Sequence, residues 1–465
     1  MTRLKLIPEF FYSPETGFSE GPIVIENGVV MATGDACEEH APDSTLSLRG
    51  TFLISGFTNA HSHAFQRAMR GTAEFREPTA MQDDFWTWRQ EMYRLALALN
   101  PTEMKAIAKW AYLDMLKSGF TSVGEFHYVH HDRDGAPYAD STVLSRVLAE
   151  AAQEIGIRLS LLQTAYARAG FNRPKNDQQR RFIFSDVDQF LSHASRVKTS
   201  VCSPNLVHGF ALHSVRACPE EWIREITQEA NGGSDILHMH ACEQLAEIEE
   251  CEAEHGCRPM ELLARNGALS PKSTVVHATH LSETERKLIA AHRPIVCVCP
   301  TTERNLGDGL CPIRELAEQG TRFAIGTDSH VRIEAVEEFR AFEDHERLRL
   351  QRRNVLTRPG HGLGESLLSI ISGGADSIGQ PQPGFSPGCA ADFVGVSIGP
   401  EGQAYGHRAA LDAFFLAGTQ RDITDVFVAG EHLIKNGQYL GQEPNAVRDD
   451  AIAVMKRAQK RLAPS

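Results

Sequence analysis

The sequence predicts an α/β protein: a (β/α)8 TIM-like barrel with a small β-sandwich domain built from both chain ends. Three observations lead to this prediction. Eight short apolar runs alternate with helix-like segments, polar residues able to bind metal follow most of those runs, and hairpin patterns lie near both ends of the chain. The 465 residues suffice for a barrel of ~250 residues plus an accessory domain.

Residues 1–50 are predicted to form the N-terminal part of the β-sandwich. The segment GPIVIENGVVMATGD places two β-branched runs on either side of Asn27-Gly28. Asn-Gly is typical of a tight hairpin turn, because both residues tolerate positive φ. A hairpin is therefore expected at this turn.

Residues 51–384 are predicted to form the barrel. Its strands are the eight apolar runs at 51–59, 121–128, 157–166, 206–214, 236–243, 273–281, 294–302 and 322–330. The intervening segments carry helical patterns, such as PTEMKAIAKWAYLDMLKSG and LSETERKLIAAH. The first of these begins with Pro101 and ends at Gly119, and these residue types are favoured at the start and just after the end of a helix.

Residues 385–465 are predicted to complete the β-sandwich and to close the chain with a helix. The segments GCAADFVGVS and DITDVFVAGEHLIKNGQYL have strand character, and Asn436-Gly437 marks a second turn. The last segment, DDAIAVMKRAQKRLA, has a helical pattern.

The amino-acid composition argues against some classes of binding partner. Lys and Arg number 47 and Asp and Glu 60, which gives a net charge of −13. An acidic surface repels nucleic acid and anionic membrane, so neither is expected as a partner. No apolar run approaches the ~20 residues of a membrane span, and the N-terminus lacks a secretory apolar region. The ten cysteines contain no Cys-x-x-Cys pair, so a cytoplasmic protein with reduced thiols is expected.

Polar residues follow the predicted strands at one end. They are His61 and His63 after the first strand, Glu125, His127 and Tyr128 at the second, His213 at the fourth, His240 and Glu243 at the fifth, His277 and His280 at the sixth, and Asp328 and His330 at the eighth. Random placement of histidine would not favour one end of the strands. In this fold, catalysis takes place at the carboxyl ends of the strands.

A metal site is expected at that end of the barrel. His61 and His63 are two residues apart in a strand, so their side chains point the same way, and His240 and Asp328 are the natural partners from other strands. Three imidazoles and one carboxylate suit one Zn²⁺ per chain, although similar sets also take iron, manganese or cobalt. No His-Glu-x-x-His pattern is present, which excludes a zincin.

The segments GFTNAHSH, HMHACE, VVHATH and GTDSH together resemble the amidohydrolase superfamily. That resemblance implies a metal-dependent hydrolase barrel flanked by a sandwich, and it suggests a homodimer. Members with two metals carry a carboxylated lysine on the fourth strand, but LVHGFALHS has no lysine, so a single ion is expected. In the deaminase branch, the pattern implies metal ligands at His61, His63, His240 and Asp328, with Glu243 and His277 catalytic.

The expected reaction is attack of a metal-activated hydroxide on a trigonal carbon, because a bound metal lowers the pKa of water to about 7. Glu243 is the candidate proton shuttle, and His277 can accept a proton or stabilise the hydroxide. Asp328 can ligate the metal and also hold the water, which makes it a third candidate catalytic residue. The division of proton transfers among these three residues is left open by the sequence.

A substrate with two carboxylates is expected. Polar candidates near the strand ends are Gln66, Arg89, Tyr128, His213 and Arg216. Arginine binds carboxylates bidentately, and two separate arginines in an acidic protein suggest a dicarboxylate. The segments HSHAFQRAMRG, FWTWRQEMYR, EFHYVHHD, ALHSVRA and NLGDG also resemble deiminases of histidine degradation that convert a formimidoyl derivative of glutamate into the formyl derivative and ammonia. That closer resemblance implies that these five residues contact the substrate.

Two alternatives remain open. One is another deaminase or hydrolase of the superfamily, for example one similar to guanine deaminase, to triazine or S-adenosylhomocysteine hydrolases, or to imidazolonepropionase. A neutral ring would need stacking aromatic and amide partners rather than two arginines. The other alternative is a non-catalytic barrel that has lost its metal, which the intact ligand set disfavours.

Overall fold

The computed structural model describes residues 3–76, 83–233 and 235–462. This part of the chain contains seventeen strands: β1 Arg3–Ser13, β2 Gly17–Ser19, β3 Ile23–Glu26, β4 Val29–Thr33, β5 Ser44–Ser55, β6 Phe57–Ser62, β7 Phe120–His127, β8 Arg158–Ala165, β9 Leu206–Ser214, β10 Leu237–Ala241, β11 Ser273–His277, β12 Ile295–Val298, β13 Arg322–Ile325, β14 Phe393–Ser397, β15 Ile423–Val428, β16 Glu431–Lys435 and β17 Gln438–Tyr439.

The α-helices of the same part are α1 Phe85–Ala98, α2 Pro101–Lys117, α3 Val143–Ile155, α4 Val187–Ser200, α5 Glu220–Gly233, α6 Leu245–His255, α7 Pro259–Arg265, α8 Glu283–His292, α9 Pro300–Leu306, α10 Ile313–Glu318, α11 Ala335–Leu350, α12 Leu363–Ile370, α13 Gly374–Ile378, α14 Pro400–Tyr405, α15 His407–Ala417 and α16 Pro444–Leu462. Short 3-10 turns cover 34–39, 64–69, 177–179 and 420–422. None of the helices in the described ranges is both long and apolar enough to cross a membrane.

Strands β6 to β13 form a closed barrel in which neighbouring strands run parallel. The barrel closes where β13 meets β6. The Asn59 side chain supports this seam: its amide donates to Thr327 Oγ1 at 2.7 Å, and its carbonyl accepts from the Thr327 backbone N–H at 3.0 Å. The (β/α)8 barrel predicted from the sequence is confirmed.

The predicted first barrel strand, at 51–59, was wrong in its position. Strand β5 of the terminal sheet runs to Ser55, and barrel strand β6 begins only at Phe57. Gly56 separates them, and a Cβ there would lie 2.3 Å from Thr121 Oγ1. The break is not visible in the sequence, because both strands are buried here and their residues form one continuous apolar run. The periodicity of apolar residues therefore does not separate the two strands.

The two chain ends form one nine-stranded sheet beside the barrel. Its strand order is β17-β16-β15-β14-β5-β1-β3-β4, with β2 paired to β1. Strand β5 pairs parallel with β1 and antiparallel with β14, so the N-terminal and C-terminal segments are joined through it. Asn27 and Gly28 both have positive φ between β3 and β4, as do Asn436 and Gly437 between β16 and β17, which confirms both predicted turns.

Helices cover the outside of the barrel, and their ends follow local capping rules. The side chain of Asn100 caps α2 by accepting from the Glu103 backbone N–H, and Pro101 occupies the first turn. Helix α16 packs on α2, where Glu103 accepts hydrogen bonds from Arg457 and Arg461. The C-terminal helix is thereby bound to helix α2 on the outside of the barrel.

Candidate active site

Four side chains meet at the carboxyl end of the barrel strands. His61 lies in β6 with His63 just beyond it, His240 lies in β10, and Asp328 follows β13. One ligand atom from each lies within 4.8 Å of the others, and all four residues are buried. The Nε2 atoms of His61 and His63 lie 3.4 and 3.2 Å from Asp328 Oδ1. The structure therefore brings together the whole set of ligands that the sequence predicts.

Hydrogen bonds from the barrel orient two of these imidazoles. His63 Nδ1 bonds to the Phe126 carbonyl at 2.9 Å, and His240 Nδ1 bonds to the His213 carbonyl at 2.8 Å. A carbonyl can only accept, so both Nδ1 atoms carry the proton and both Nε2 lone pairs face the site. His61 Nε2 lies 2.9 Å from His240 Nε2. Since His240 Nε2 carries no proton, the two nitrogens at that distance either share a hydrogen bond donated by His61 or face a common cation.

The backbone around the site is strained. Cys242, His277, Asp328 and His330 all have positive φ, between 42° and 75°. This left-handed region costs a residue with a Cβ roughly 1–3 kcal/mol and persists only where the surroundings enforce it. Such outliers concentrate at functional sites, which agrees with the position of these residues at the strand ends.

Glu243 and His277 lie next to the four-residue group. His277 Nε2 is 3.6 Å from Glu243 Oε1 and 3.9 Å from Asp328 Oδ2, and its Nδ1 is 3.2 Å from Glu303 Oε1. Burial alone would lower the pKa of His277, but the surrounding carboxylates raise it well above its usual value. Burial raises the pKa of Glu243. The two side chains are thus neighbouring titratable groups beside Asp328.

One pocket holds the predicted substrate contacts together with this group. It spans about 430 Å³ of space between its atoms, part of which is open to solvent. Its lining includes Gln66, Arg89, Tyr128, His213 and Arg216 beside His63, His240, Glu243, His277 and Asp328. Residues that are distant in the chain thus share one cavity.

Several polar atoms of this pocket have no hydrogen-bond partner among the residues that the structure describes. Gln66 donates to the Tyr128 hydroxyl at 2.8 Å, but its Oε1 is unpartnered, and so are the Nη1 atoms of Arg89 and Arg216. All three atoms are buried. Burial, followed by the charges of Arg216 and Arg89, lowers the pKa of His213 well below its usual value, so this imidazole is neutral. Unpartnered buried groups of this kind are costly unless a ligand satisfies them.

Other polar residues at the strand ends support the structure instead. Glu125 accepts from Ser62 Oγ at 2.6 Å and from the Ala64 backbone N–H at 2.8 Å. His330 Nε2 accepts from the His63 backbone N–H at 3.1 Å, and His280 Nε2 bonds to the Asp308 carbonyl at 2.6 Å. Glu125 and His330 therefore hold the backbone that carries His61 and His63.

Comparison with known proteins agrees with this geometry. Residues 52–433 match the model of the amidohydrolase family. The chain belongs to the amidohydrolase family. A formimidoylglutamate deiminase of Pseudomonas aeruginosa is 38% identical to this amidohydrolase over 402 residues, which cover 85% of this chain and 88% of that protein.

Two solved structures and a more distant relative extend the comparison. An amidohydrolase from Brucella melitensis is 34% identical with a TM-score of 0.88, and the match covers 99% of this chain and 100% of that one. A zinc-bound adenosine deaminase from Xanthomonas campestris is 22% identical with a TM-score of 0.81 over 99% of both chains, which shows a common fold. A 5-methylthioadenosine/S-adenosylhomocysteine deaminase of Halobacterium salinarum is 24% identical, with 94% of each chain covered.

The family is metal-dependent, and the residues of this amidohydrolase fit a divalent ion. The donor set is three imidazoles and one carboxylate, two of the imidazoles are fixed with Nε2 facing inward, and Asp328 joins them. Imidazole and carboxylate ligands with hydrogen-bonded second partners are the usual surroundings of catalytic zinc and related metals.

The structure adds residues that the sequence did not single out. Tyr93 accepts a hydrogen bond from Arg89 Nε, and Gln179 Nε2 donates to the hydroxyls of Tyr93 and Tyr166 at 2.8 and 2.7 Å. Although burial alone would raise the pKa of Tyr166, the charges of Arg89 and Arg216 lower it. Trp86 lies between the two arginines, with their guanidinium carbons 5.2 and 5.8 Å from its ring centre. Among these residues, only Trp86 and Tyr93 had a signal in the sequence, because they belong to the aromatic-rich segment FWTWRQEMYR.

Proposed function

We propose that this amidohydrolase converts N-formimidoyl-L-glutamate into N-formyl-L-glutamate and ammonia, a reaction of histidine degradation. The observation that carries the proposal is that two buried arginines share one pocket with the four-residue metal group. Arg89 and Arg216 each have an unpartnered Nη1, and a dicarboxylate supplies the acceptors that both lack. The relative from Pseudomonas aeruginosa, a formimidoylglutamate deiminase by name, supports this choice among the deaminases of the family.

The glutamate part of the substrate is held beside the two arginines of the pocket. Arg89 and Arg216 bind its carboxylates, while Gln66, Tyr128 and the neutral His213 supply further hydrogen bonds. Tyr93 and Gln179 hold the Arg89 side chain in place. This anchoring brings the formimidoyl carbon to Glu243, His277 and Asp328, which line the same pocket.

His61, His63, His240 and Asp328 are the residues that would hold one metal ion. When bound, such an ion supplies Lewis acidity and makes water nucleophilic at neutral pH. Glu243 is the residue that carries protons from the nucleophile to the departing nitrogen, since its carboxylate faces both His277 and the pocket. His277 stabilises negative charge through Nε2, because its Nδ1 is bonded to Glu303. Asp328 Oδ2 lies on the same side, near His277, and can accept a proton there.

Zinc is the proposed metal because the ligand set suits it, with iron and manganese as alternatives. A cytoplasmic location is proposed from the ten cysteines, all of which are free thiols. The homodimer stays a prediction from the family resemblance, and light scattering of the purified protein measures it directly.

Ammonia release from N-formimidoyl-L-glutamate tests the function. The purified enzyme should release one ammonia per substrate and leave N-formyl-L-glutamate, identified by NMR, and a chelator should stop the reaction. Guanine and 5-methylthioadenosine serve as comparison substrates, because neutral rings leave both arginines without carboxylate partners. Equal or faster release of ammonia from either ring would refute the proposal in favour of another deaminase of the family.

A further inference from the structure

A second buried carboxyl group, that of Asp308, lies beside Glu243 and His277. Asp308 belongs to the segment NLGDG, which follows α9, and its residue is 2% exposed. One of its carboxylate oxygens, one of Glu243 and a ring nitrogen of His277 lie within 4.8 Å of one another. None of the roles proposed above uses Asp308.

The backbone around Asp308 is fixed from several sides. Gly307 and Gly309 have φ values of 72° and 121°, and a Cβ on Gly309 would lie 2.9 Å from the His280 ring. The Asp308 N–H donates to the Glu303 carbonyl at 3.0 Å, and its own carbonyl accepts from His280 Nε2 at 2.6 Å. The position of this carboxyl group is therefore set before any ligand arrives.

The two oxygens of Asp308 differ in their surroundings. Oδ1 accepts a hydrogen bond from the Gln244 amide, whereas Oδ2 is buried and has no partner in the described part of the chain. Within the described ranges, Asp308 makes no ion pair with a lysine or arginine. Gln244 thus orients the carboxyl group and leaves one oxygen available next to Glu243 and His277.

The electrostatic surroundings of the Asp308 carboxyl group favour a cationic ligand beside it. Burial, together with the charge of Glu243, raises the pKa of Asp308 to about 9, and Glu303 and Asp328 act in the same direction while His277 opposes them. A carboxyl group buried among other carboxylates costs stability unless a cation or a hydrogen-bond donor meets it. Asp308, Glu243 and Glu303 thus place three carboxyl groups around His277.

We propose that Asp308 binds the terminal nitrogen of the formimidoyl group, with Oδ2 accepting one of its N–H bonds and holding it as it departs as ammonia. This inference rests on the proposed function. A formimidoyl group is an amidine, which is protonated and cationic at neutral pH, and its terminal nitrogen is the one that leaves. Asp308 thus distinguishes a cationic amidine from a neutral amide, while the arginines recognise the glutamate part common to both.

The test compares Asp308→Asn with the wild type on substrate and on product. Asparagine keeps the size of the side chain but cannot become a carboxylate when the cationic group binds. The expected loss in kcat/KM for N-formimidoyl-L-glutamate is roughly 10- to 150-fold, the factor that corresponds to one charge-assisted hydrogen bond. The inhibition constant of N-formyl-L-glutamate, which has the same carboxylates and a neutral formyl end, should change less than about threefold, and metal content should stay equal. Asp188→Asn, on the exposed face of α4, is the matched control for the loss of one negative charge.

Each outcome decides a different point. A wild-type enzyme that releases no ammonia from N-formimidoyl-L-glutamate refutes the proposed function. If the wild type is active and the Asp308→Asn variant is equally active, the proposed role of Asp308 is refuted. It is also refuted if the variant loses turnover and product binding to the same extent, because Asp308 would then only support the structure of the pocket. If Asp308→Asn does not fold, the Gln244→Met variant replaces it in the test. A loss of turnover smaller than that expected for Asp308→Asn, with unchanged inhibition by the product, supports the role of Asp308. Unchanged turnover overturns it.

Discussion

Replacing Arg216 by methionine separates the binding of carboxylate from the chemistry. Arg216 is 4% exposed, its Nη1 has no partner, and its guanidinium carbon lies 5.8 Å from the ring centre of Trp86. Methionine retains much of the length and apolar contact of the side chain but removes all five donors. The fold and the metal group should therefore persist, while one carboxylate of the substrate loses its anchor.

The size of the effect follows from the number of hydrogen bonds lost. Each charge-assisted bond contributes about 1.5–3 kcal/mol, and a bidentate arginine makes two of them. The expected loss is about 3–6 kcal/mol, which corresponds to roughly a 10²- to 10⁴-fold decrease in kcat/KM at 1.36 kcal/mol per factor of ten. Most of it should appear as a higher KM, because the carboxylate is bound equally in the ground state and the transition state.

Truncated substrates identify the lost contact. N-formimidoyl-4-aminobutyrate lacks the α-carboxylate, and N-formimidoyl-2-aminobutyrate lacks the side-chain carboxylate. The wild type should discriminate against both, whereas Arg216→Met should lose its discrimination against one of them. Arg196→Met, on the exposed surface of α4, removes the same charge away from the pocket and serves as control. Wild-type kinetics in Arg216→Met, or undiminished discrimination against both truncated substrates, would refute the assignment.

Three further predictions concern the metal, the proton carrier and the C-terminal helix. Removal of the metal by a chelator should abolish ammonia release and lower Tm, and one equivalent of Zn²⁺ per chain should restore both; full activity in protein shown to be metal-free by elemental analysis would contradict this. Glu243→Gln should lower kcat by about 10²- to 10⁴-fold with little change in KM or metal content, the range for loss of a general acid–base, and a kcat within tenfold of the wild type would exclude the role. Burial alone would raise the pKa of Glu103, but hydrogen bonds, first that from Arg461, lower it to about 2. Because the folded-state pKa is depressed, the stabilisation by Glu103 is fully present above the unfolded-state pKa of about 4.3 and is lost as pH falls towards 2. The difference in Tm between the wild type and Glu103→Gln should therefore be constant near neutral pH and shrink below about pH 4, and a difference independent of pH would contradict the ion pair as its source.

The metal group shows how far sequence reasoning reaches. His61 and His63 are two residues apart in one strand, so their common direction follows from local geometry alone. Adding His240 and Asp328 needed only the rule that strand ends meet at one end of a barrel, and the structure places all four together. The same rule correctly placed Glu243 and His277 beside them.

The same rule did not distinguish the metal group from residues that support the backbone. Glu125 and His330 also follow strands, yet both bond to the segment around Ser62 and His63. Asp308 and Tyr166 were not selected, although both face the pocket residues or their arginines. Position along a strand gives direction, but hydrogen-bond partners depend on distances between residues far apart in the chain.

The sequence by itself determined the order of the eight barrel strands, the pairing of both chain ends beside them and the residue types at the strand ends, because alternation, turn residues and helix caps act over a few residues. Tertiary structure alone decided where β5 gives way to β6, which buried polar side chains keep an atom without a partner among the described residues, and that Arg89 and Arg216 share one pocket with Glu243, His277 and Asp328. Those features arise from packing and burial, which bring together groups far apart in the chain, as in the contact between Ser62 and His330, 268 residues apart.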